Sequence, residues 1–307
     1  MLIIYTIKQF LELPPFEQAE IQKALRTKDR LEAWLRDQNK KSGQAVNPAK
    51  TAHWEECSRC KPYWEMAQGQ RGYVWYEQYR NNNDVHPSQI NKCLKFLWFS
   101  CNDFTDKFEE YIDPRLRMIF DLGHTWHNTI QKYGRGGAWG DPSHYHPEER
   151  IDPDAANQDG SPKNPIAHDY WIRGSVDAFL TDYRISTSVL GEVSIRLIHE
   201  YKTINSNGFS KLTRPKPEHK WQATMYSACL DAPIVVYIYT NKDDCKTADF
   251  VVPFDSGIWA EVGTKIRRVQ ELTELQREPD WAETSAVNNP RECMDCAARK
   301  FCQPPTR

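Results

Sequence analysis

The 307-residue chain carries 40 Lys and Arg against 42 Asp and Glu, so its formal net charge is only −2. This balance excludes a protein that is basic over its whole surface, but it is compatible with a local basic channel. No apolar run approaches the roughly 20 residues that a bilayer-spanning helix needs, which excludes that class of membrane protein.

The chain opens with MLIIYTI, which predicts a short strand or the entry to a helix. It lacks the basic stretch that precedes the apolar part of a signal peptide, so we expect a cytoplasmic protein. Nine cysteines, an odd number without a secretion signal, favour metal ligation over a disulfide framework.

Residues 14–40 are rich in helix formers with apolar residues at near-helical spacing, which predicts one helix, or two with a break near Lys28. Residues 41–52 have the composition of a loop, and the aromatic segment 53–80 is predicted to be helical. Residues 1–84 are therefore expected to form a helical accessory region that binds a partner or narrows the entry for a substrate.

The main folded core is expected to begin at residue 85. Ser88 is a candidate N-cap for a helix whose apolar side carries Ile90, Leu94, Leu97 and Trp98. A second helix is predicted over 114–133. The Gly/Pro/Asp/Asn-rich segment 134–168 is predicted to be a long surface loop inserted into the core.

The elements that follow predict a mixed sheet flanked by helices. The predicted strands are 170–180, 192–202, 233–240 and 248–253, and the predicted helices are 217–231 and 255–277, with a polar loop at 203–216. This order is typical of a mixed α/β core over 85–284. Residues 285–307 form a cysteine-rich tail.

Four short motifs carry chemistry: GHTWH at 123–127, GSVDAF at 174–179, HEYK at 199–202 and WQATMY at 221–226. Alternation along a strand places Glu200 and Lys202 on one face, at the end of an apolar run. Burying such a pair contributes little stability because desolvation offsets the attraction, so the pair indicates a functional site.

Oxygen ligands suit Mg²⁺ or Mn²⁺, and Asp177 and Glu200 on neighbouring strands are candidates to converge on one ion. A divalent ion there would act as a Lewis acid on a phosphate oxygen. Lys202 would orient water or neutralise charge on the phosphate. Gln222 and Tyr226, four residues apart on one helix face, would fix either the lysine or a nucleic-acid backbone.

In order and spacing these motifs resemble the PD-(D/E)XK nucleases of the RecB type, over residues 123–226. The resemblance implies a restriction-endonuclease-like fold and a DNA exonuclease that acts on single strands or DNA ends, often from 5′ to 3′. It further implies a role in recombination, repair, replication or CRISPR adaptation, in a bacterial or phage-infected cell. The family's functional residues map onto His127, Asp177, Glu200 and the carbonyl of Tyr201 as metal ligands, with Lys202, Gln222 and Tyr226 beside them. The segment 181–191 lengthens the gap from Asp177 to Glu200 and is interpreted as an enlarged turn.

The tail contains Cys293, Cys296 and Cys302, and Cys93 lies about 200 residues upstream. Four thiolates hold either zinc or an iron–sulfur cluster. The arrangement is similar to the iron–sulfur branch of the same family, which includes the CRISPR-associated exonuclease and AddB. That resemblance implies a 4Fe–4S cluster, with zinc as the alternative, in a C-terminal subdomain closed by Cys93.

The segment HWEECSRC supplies a second group of metal-capable side chains, His53, Cys57 and Cys60. A small zinc site would need a fourth ligand, for which Cys101 or a residue of the insertion is a candidate. Two alternatives remain: a zinc ribbon that pairs the two cysteines with the tail, or two reduced thiols in a helix. The two further cysteines, Cys229 and Cys245, are expected to be core or surface thiols.

Four basic residues between the HEYK strand and the next helix are candidates to contact DNA, although a solvated loop is the alternative. They are Lys211, Arg214, Lys216 and Lys220. Phe96, Trp98, Phe99 and Tyr73 are candidates to stack on unpaired bases or to lie in the core. Two other functions stay open: a non-cleaving DNA-binding assembly subunit, and an iron–sulfur or zinc scaffold. Self-association, or binding to a recombination, replication or CRISPR protein, is also possible.

Overall fold

The computed structural model describes residues 4–26, 30, 31, 33–35, 37, 84–102, 114–283, 293, 296, 298 and 302, with the backbone alone at 114–121. The chain divides into two compact units, one formed by residues 1–28 and 82–307 and the other by 29–81. The smaller unit is helical in its few described residues. This division differs from the predicted accessory region 1–84, because the first helices belong to the larger unit.

A six-stranded mixed sheet forms the centre of the larger unit. Its described strands are β1 (Ile4–Tyr5), β2 (Tyr145–Ile151), β3 (Gly174–Thr187), β4 (Gly191–Ile204), β5 (Ile234–Asn241) and β6 (Thr247–Pro253). The order is β2-β3-β4-β5-β6, and β1 pairs with β4. The β1–β4 and β4–β5 pairs are parallel and the others are antiparallel. Every residue of β5 is buried, as expected for an interior strand covered on both faces.

Eight described α-helices accompany the sheet, which confirms the predicted fold class of a mixed sheet flanked by helices. They are α1 (Ile7–Glu12), α2 (Pro15–Ala24), α3 (Leu94–Ser100), α4 (Pro114–Arg135), α5 (Pro165–Asp169), α6 (Ser206–Ser210), α7 (Pro217–Leu230) and α8 (Ser256–Glu274). No helix in these ranges has the length and apolar character that crossing a membrane requires.

Three local predictions were wrong. The segment 134–168 is not a loop throughout, because it contains β2 and α5. The segment 181–191 is not an enlarged turn, because β3 continues to Thr187 and leaves a three-residue turn before β4. Ser88 lies in a 3₁₀ turn, and the Sγ of Cys93 caps α3 by accepting the backbone N–H of Phe96 at 3.4 Å.

Strands β3 and β4 form a fork that positions the site. Their pairing reaches Ala178 opposite His199 and extends no further toward the start of β3. Before that point β3 pairs with β2, and beyond it β4 pairs with β5 as far as Ile204. The two strands therefore diverge where Asp177 and Glu200 lie. A diverging pair leaves backbone groups that need other partners, which opens space for a functional site.

Candidate active site

Asp177 lies in the fork and bonds to groups from two other elements. Its Oδ2 accepts the backbone N–H of Tyr201 at 2.6 Å, a donor that the diverging β3 backbone no longer satisfies. Its Oδ1 lies 3.1 Å from Nδ1 of His127, which α4 supplies. The structure therefore brings together His127, Asp177 and the peptide of Tyr201, although 24 residues separate the last two.

Glu200 and Lys202 form the second half of the site. Lys202 Nζ lies 2.6 Å from Glu200 Oε1 and donates to Gln222 Oε1 at 3.4 Å. Gln222 in turn donates to the hydroxyl of Tyr226 at 3.3 Å. Of the two predicted partners for these α7 residues, the lysine is the one that Gln222 contacts in the structure.

Gly174, the first residue of β3, shows why a glycine precedes the aspartate by three positions. A Cβ there would lie 3.3 Å from the ring of Tyr226 and 3.2 Å from Pro87. These contacts are tighter than a side chain normally makes, so the glycine lets the Tyr226 ring approach the strand.

Burial and charge act in opposite directions on the ionisable groups of the fork. Burial, reinforced by Asp177, raises the pKa of Glu200 to about 7 even though Lys202 opposes the shift. Burial also disfavours the charged form of Asp177, but His127 and Lys202 outweigh it and lower the pKa of Asp177. For His127 and Lys202, burial is outweighed by the two carboxylates, so both pKa values are raised.

A further carboxylate, Glu148, was missed from the sequence because β2 was interpreted as loop. Glu148 accepts from Gln131 at 2.6 Å and from Ser175 at 3.2 Å. Burial, with a contribution from Asp177, raises its pKa. Pro147 and the charged run around it concealed the strand, although Pro is tolerated in edge strands such as β2. The weak signal that remained was a pair of apolar residues, Tyr145 and Ile151, bounding the run.

The donor set at the fork fits a hard divalent cation: two carboxylates, an imidazole and a backbone carbonyl. In the described residues no three His, Cys, Asp or Glu side chains surround a single point as a complete metal shell. Instead the groups bond to one another, Asp177 to His127 and Glu200 to Lys202. Loading an ion would therefore require these internal contacts to open.

The four predicted cluster cysteines lie in one region. Cys93 and Cys302 are buried in the main apolar cluster, against which Cys293 and Cys296 pack. Burial raises the pKa of the Cys302 thiol to about 12, and the other three cysteines add to the shift. Lys95 acts in the opposite direction. Among the described residues no three of these thiols form a metal-binding group, so the assignment of a 4Fe–4S cluster or zinc stays a prediction.

The possible N-terminal zinc ligands His53, Cys57 and Cys60 lie outside the described residues. Cys101 is buried at the end of α3, where burial and then Asp84 raise the pKa of its thiol to about 12.

Three of the four predicted DNA-binding residues line one groove of about 610 Å³ beside the end of β4: Lys211, Arg214 and Lys216. All three are exposed, and none forms an ion pair within the described part of the chain. Lys220 differs, because its ammonium lies 3.7 Å from Asp255. Of the two alternatives for the aromatic residues, the structure shows the core for Phe96, Trp98 and Phe99, which are buried and unavailable for base stacking. Tyr73 lies outside the described residues.

His219 lies between this groove and the sheet, and its burial makes the stability of the fold sensitive to low pH. Its Nδ1 lies 2.6 Å from the hydroxyl of Tyr239. Burial, followed by Lys202 and Lys216, lowers the pKa of His219 from 6.5 to about 3. Because the pKa of His219 is depressed in the folded state, the stability contributed by its neutral form is fully present above pH 6.5. That stability is lost as the pH falls toward 3.

We therefore expect His219→Gln to reduce the stability lost between pH 7 and pH 5 by about 1–2 kcal/mol, after allowance for solvent screening. Urea unfolding at the two pH values measures the difference. His168→Gln, at an exposed position on α5, serves as the control and should leave the loss unchanged. Equal losses in the unaltered chain and His219→Gln would contradict the prediction.

Comparison with known proteins gives weak structural likeness alone. No family model matches the chain, and no curated protein matches it. A crystal structure of SSO0001 aligns with a TM-score of 0.41 and 15% identity over 79% of this chain and 93% of that one. The alkaline exonuclease LHK-Exo of Laribacter hongkongensis aligns with a TM-score of 0.37, and its dAMP complex with 0.41, each at 14% identity over 64% of this chain and 90% of that one. Such values assign neither family nor activity.

Proposed function

We propose that the chain is a metal-dependent deoxyribonuclease that hydrolyses phosphodiester bonds as an exonuclease on single-stranded DNA or DNA ends. The observation that carries this proposal is the fork, where the half-buried Asp177 and the buried Glu200 lie level with each other and the ammonium of Lys202 lies against Glu200. The activity is of the kind stated in the name of LHK-Exo, although that similarity is too low to count as support.

Four groups are proposed to hold Mg²⁺ or Mn²⁺: His127, Asp177, Glu200 and the backbone carbonyl of Tyr201. When bound, the ion supplies a Lewis acid for a phosphate oxygen. The raised pKa of Glu200 supports this assignment, because a buried carboxylate whose negative charge is poorly compensated gains most from a nearby cation.

Lys202 is proposed to stabilise the negative charge that builds on the phosphate during hydrolysis. Its pKa is raised despite burial, so the side chain is charged at neutral pH. Gln222 and Tyr226 hold this ammonium from α7 through successive hydrogen bonds. A preorganised cation in a site with little water stabilises developing charge more than a mobile surface lysine does.

The groove lined by Lys211, Arg214 and Lys216 is proposed to guide the DNA backbone toward the fork. It begins at Ile204, two residues beyond Lys202 on β4, so a strand lying in the groove passes close to the catalytic lysine. These three cations form no ion pair with the residues that the structure describes, so they are available to replace the counterions that DNA carries.

We further propose that Cys93, Cys293, Cys296 and Cys302 hold a 4Fe–4S cluster, with zinc as the alternative. Two observations support thiolates here. The backbone N–H of Phe96 donates to Sγ of Cys93, and hydrogen bonds of this kind stabilise negative sulfur. Lys95, a buried lysine over the ring of Trp281, favours the thiolate of Cys302.

The test is digestion of DNA by protein purified without oxygen. Single- and double-stranded oligonucleotides labelled at the 5′ or the 3′ end are incubated with Mg²⁺, Mn²⁺ or EDTA. We expect degradation with either metal and none with EDTA, with early loss of the 5′ label if cleavage runs from 5′ to 3′. Binding without degradation in every metal would contradict the proposal and favour a non-cleaving assembly subunit.

A further inference from the structure

The side chain of Tyr201 lies on the face of β4 opposite to Glu200 and Lys202, because neighbouring residues of a strand point to opposite faces. It is completely buried, and the centre of its ring lies 6.1 Å from that of the His127 imidazole on α4, edge to face. The backbone N–H of the same residue binds Asp177. Tyr201 therefore contacts two of the proposed metal ligands, and its own carbonyl is a third.

A hydrogen bond between two hydroxyls ties the far end of the Tyr201 ring to β2. The hydroxyls of Tyr145 and Tyr201 lie 3.0 Å apart, and that of Tyr201 also lies 3.4 Å from Nδ1 of His199. Burial raises the pKa of both tyrosines, so both hydroxyls keep their protons at neutral pH. Such a buried chain fixes the orientation of each ring, because a rotated ring would leave a polar group unsatisfied.

Gly134 on α4 provides the space that the ring of Tyr145 occupies. A Cβ at this position would lie 2.6 Å from two carbons of that ring, closer than nonbonded atoms approach each other. Glycine in the interior of a helix is less stable than alanine. The helix therefore gives up intrinsic stability at the one position where the Tyr145 ring must come close to its backbone.

The face of α4 that carries this glycine is also the face that reaches the fork. His127, Gln131 and Gly134 follow one another at helical spacing. His127 contacts the carboxylate of Asp177, and Gln131 donates to the carbonyl of the same residue. Because β3 lies between β2 and β4, the hydrogen bond between the two tyrosines crosses the strand that carries Asp177.

We infer that Tyr145 is a positioning residue for the proposed metal site, and that it acts through the side chain of Tyr201. The hydrogen bond between the two tyrosines fixes the peptide of Tyr201, whose N–H holds Asp177 and whose carbonyl is a proposed ligand. The fixed ring also supports the imidazole of His127. This inference rests on the proposed function, because it needs an ion at the fork. Residues that orient metal ligands from behind raise the affinity for the ion without touching it.

The affinity of the chain for Mn²⁺, measured without DNA by electron paramagnetic resonance of free Mn²⁺, tests this inference. We expect Tyr145→Phe to bind Mn²⁺ about tenfold more weakly than the unaltered chain, as when an outer partner of a metal ligand is removed. Tyr201→Phe should weaken binding at least as much. The double variant should bind no more weakly than Tyr201→Phe, because the second substitution removes a bond that is already lost.

Gly134→Ala should weaken Mn²⁺ binding as well, since it displaces the ring of Tyr145 and leaves every hydroxyl in the chain. The matched control is Tyr237→Phe. Tyr237 is also buried in the sheet, and its hydroxyl donates to the carbonyl of His219 on α7. This control should keep the Mn²⁺ affinity of the unaltered chain, whatever its melting temperature.

The outcomes separate this inference from the proposed function. Unchanged Mn²⁺ affinity in Tyr145→Phe and Gly134→Ala would overturn the inference and leave the proposed site intact, even with lowered melting temperatures. An equal loss of affinity in Tyr237→Phe would also overturn it, because any buried hydroxyl would then have the same effect. No Mn²⁺ binding by the unaltered chain would overturn both proposals. If one variant fails to fold, as judged by thermal melting, the others decide, since each disturbs the same bond in a different way.

Discussion

Glu200→Gln is expected to reduce DNA cleavage at least about a thousandfold, which corresponds to roughly 4 kcal/mol of lost transition-state stabilisation. The substitution removes one of the two carboxylates proposed to hold the ion and also the anion that orients Lys202. DNA binding should persist, because the exposed cations of the groove remain. Initial rates on 5′-labelled single-stranded DNA and a binding titration in EDTA measure the two effects.

The same variant should fold as well as the unaltered chain. Glu200 is buried and its pKa is raised to about 7, so the cost of burying its charge offsets much of the attraction between Glu200 and Lys202. A neutral amide of the same size therefore removes little stability, and we expect the melting temperature to change by no more than a few degrees. This distinguishes loss of chemistry from loss of fold.

Glu192→Gln is the matched control, because Glu192 lies exposed at the beginning of the same strand. It should cleave at the normal rate. Full cleavage by Glu200→Gln would refute the proposed site, whatever the metal content of the protein.

Cys302→Ser is expected to release the proposed cluster and to destabilise the protein by about 5 kcal/mol. A link from Cys93 to Cys302 closes a loop of about 200 residues, and by analogy with a disulfide it restricts the unfolded chain to that extent. The melting temperature should therefore fall by on the order of 10 °C. Calorimetry measures the loss, and iron and zinc analysis identifies the group released.

The control for this variant is Cys245→Ser, which replaces an exposed thiol that takes no part in the four-cysteine region. It should keep both metal content and melting temperature. If Cys302→Ser retained its iron or zinc, the assignment of these four ligands would be wrong. Zinc in place of iron in the unaltered protein would select the alternative metal and preserve the predicted loss of stability.

The functional roles of the HEYK strand and the Asp177 strand could be predicted because each apolar run leads to charged side chains, and burying such a charge costs free energy. Helical spacing placed Gln222 and Tyr226 on one face of one helix. The sheet itself was largely predictable, since β5 is apolar from Ile234 to Tyr239 and the helices α4 and α8 carry periodic apolar faces.

What remained hidden was information about register. Glu148 lies level with Asp177 because β2 pairs with β3 at one specific register, and no local pattern in a charged segment containing Pro147 reveals that register. Likewise the buried positions of Phe96 and Trp98 follow from how α3 packs, whereas an aromatic residue in the sequence suits a core and a stacking surface equally.

In the long β3–β4 hairpin, the distance between Asp177 and Glu200 does not depend on the turn that joins the two strands. The register between Asp177 and Glu200 is fixed by the paired residues and by an irregularity between Leu180 and Tyr183. The exposed turn after Thr187 lies ten residues, or roughly 30 Å of strand, from Asp177. A fluorophore or surface tether attached at Val189 would therefore report on the whole molecule without disturbing the fork, which makes this turn a natural handle for single-molecule work.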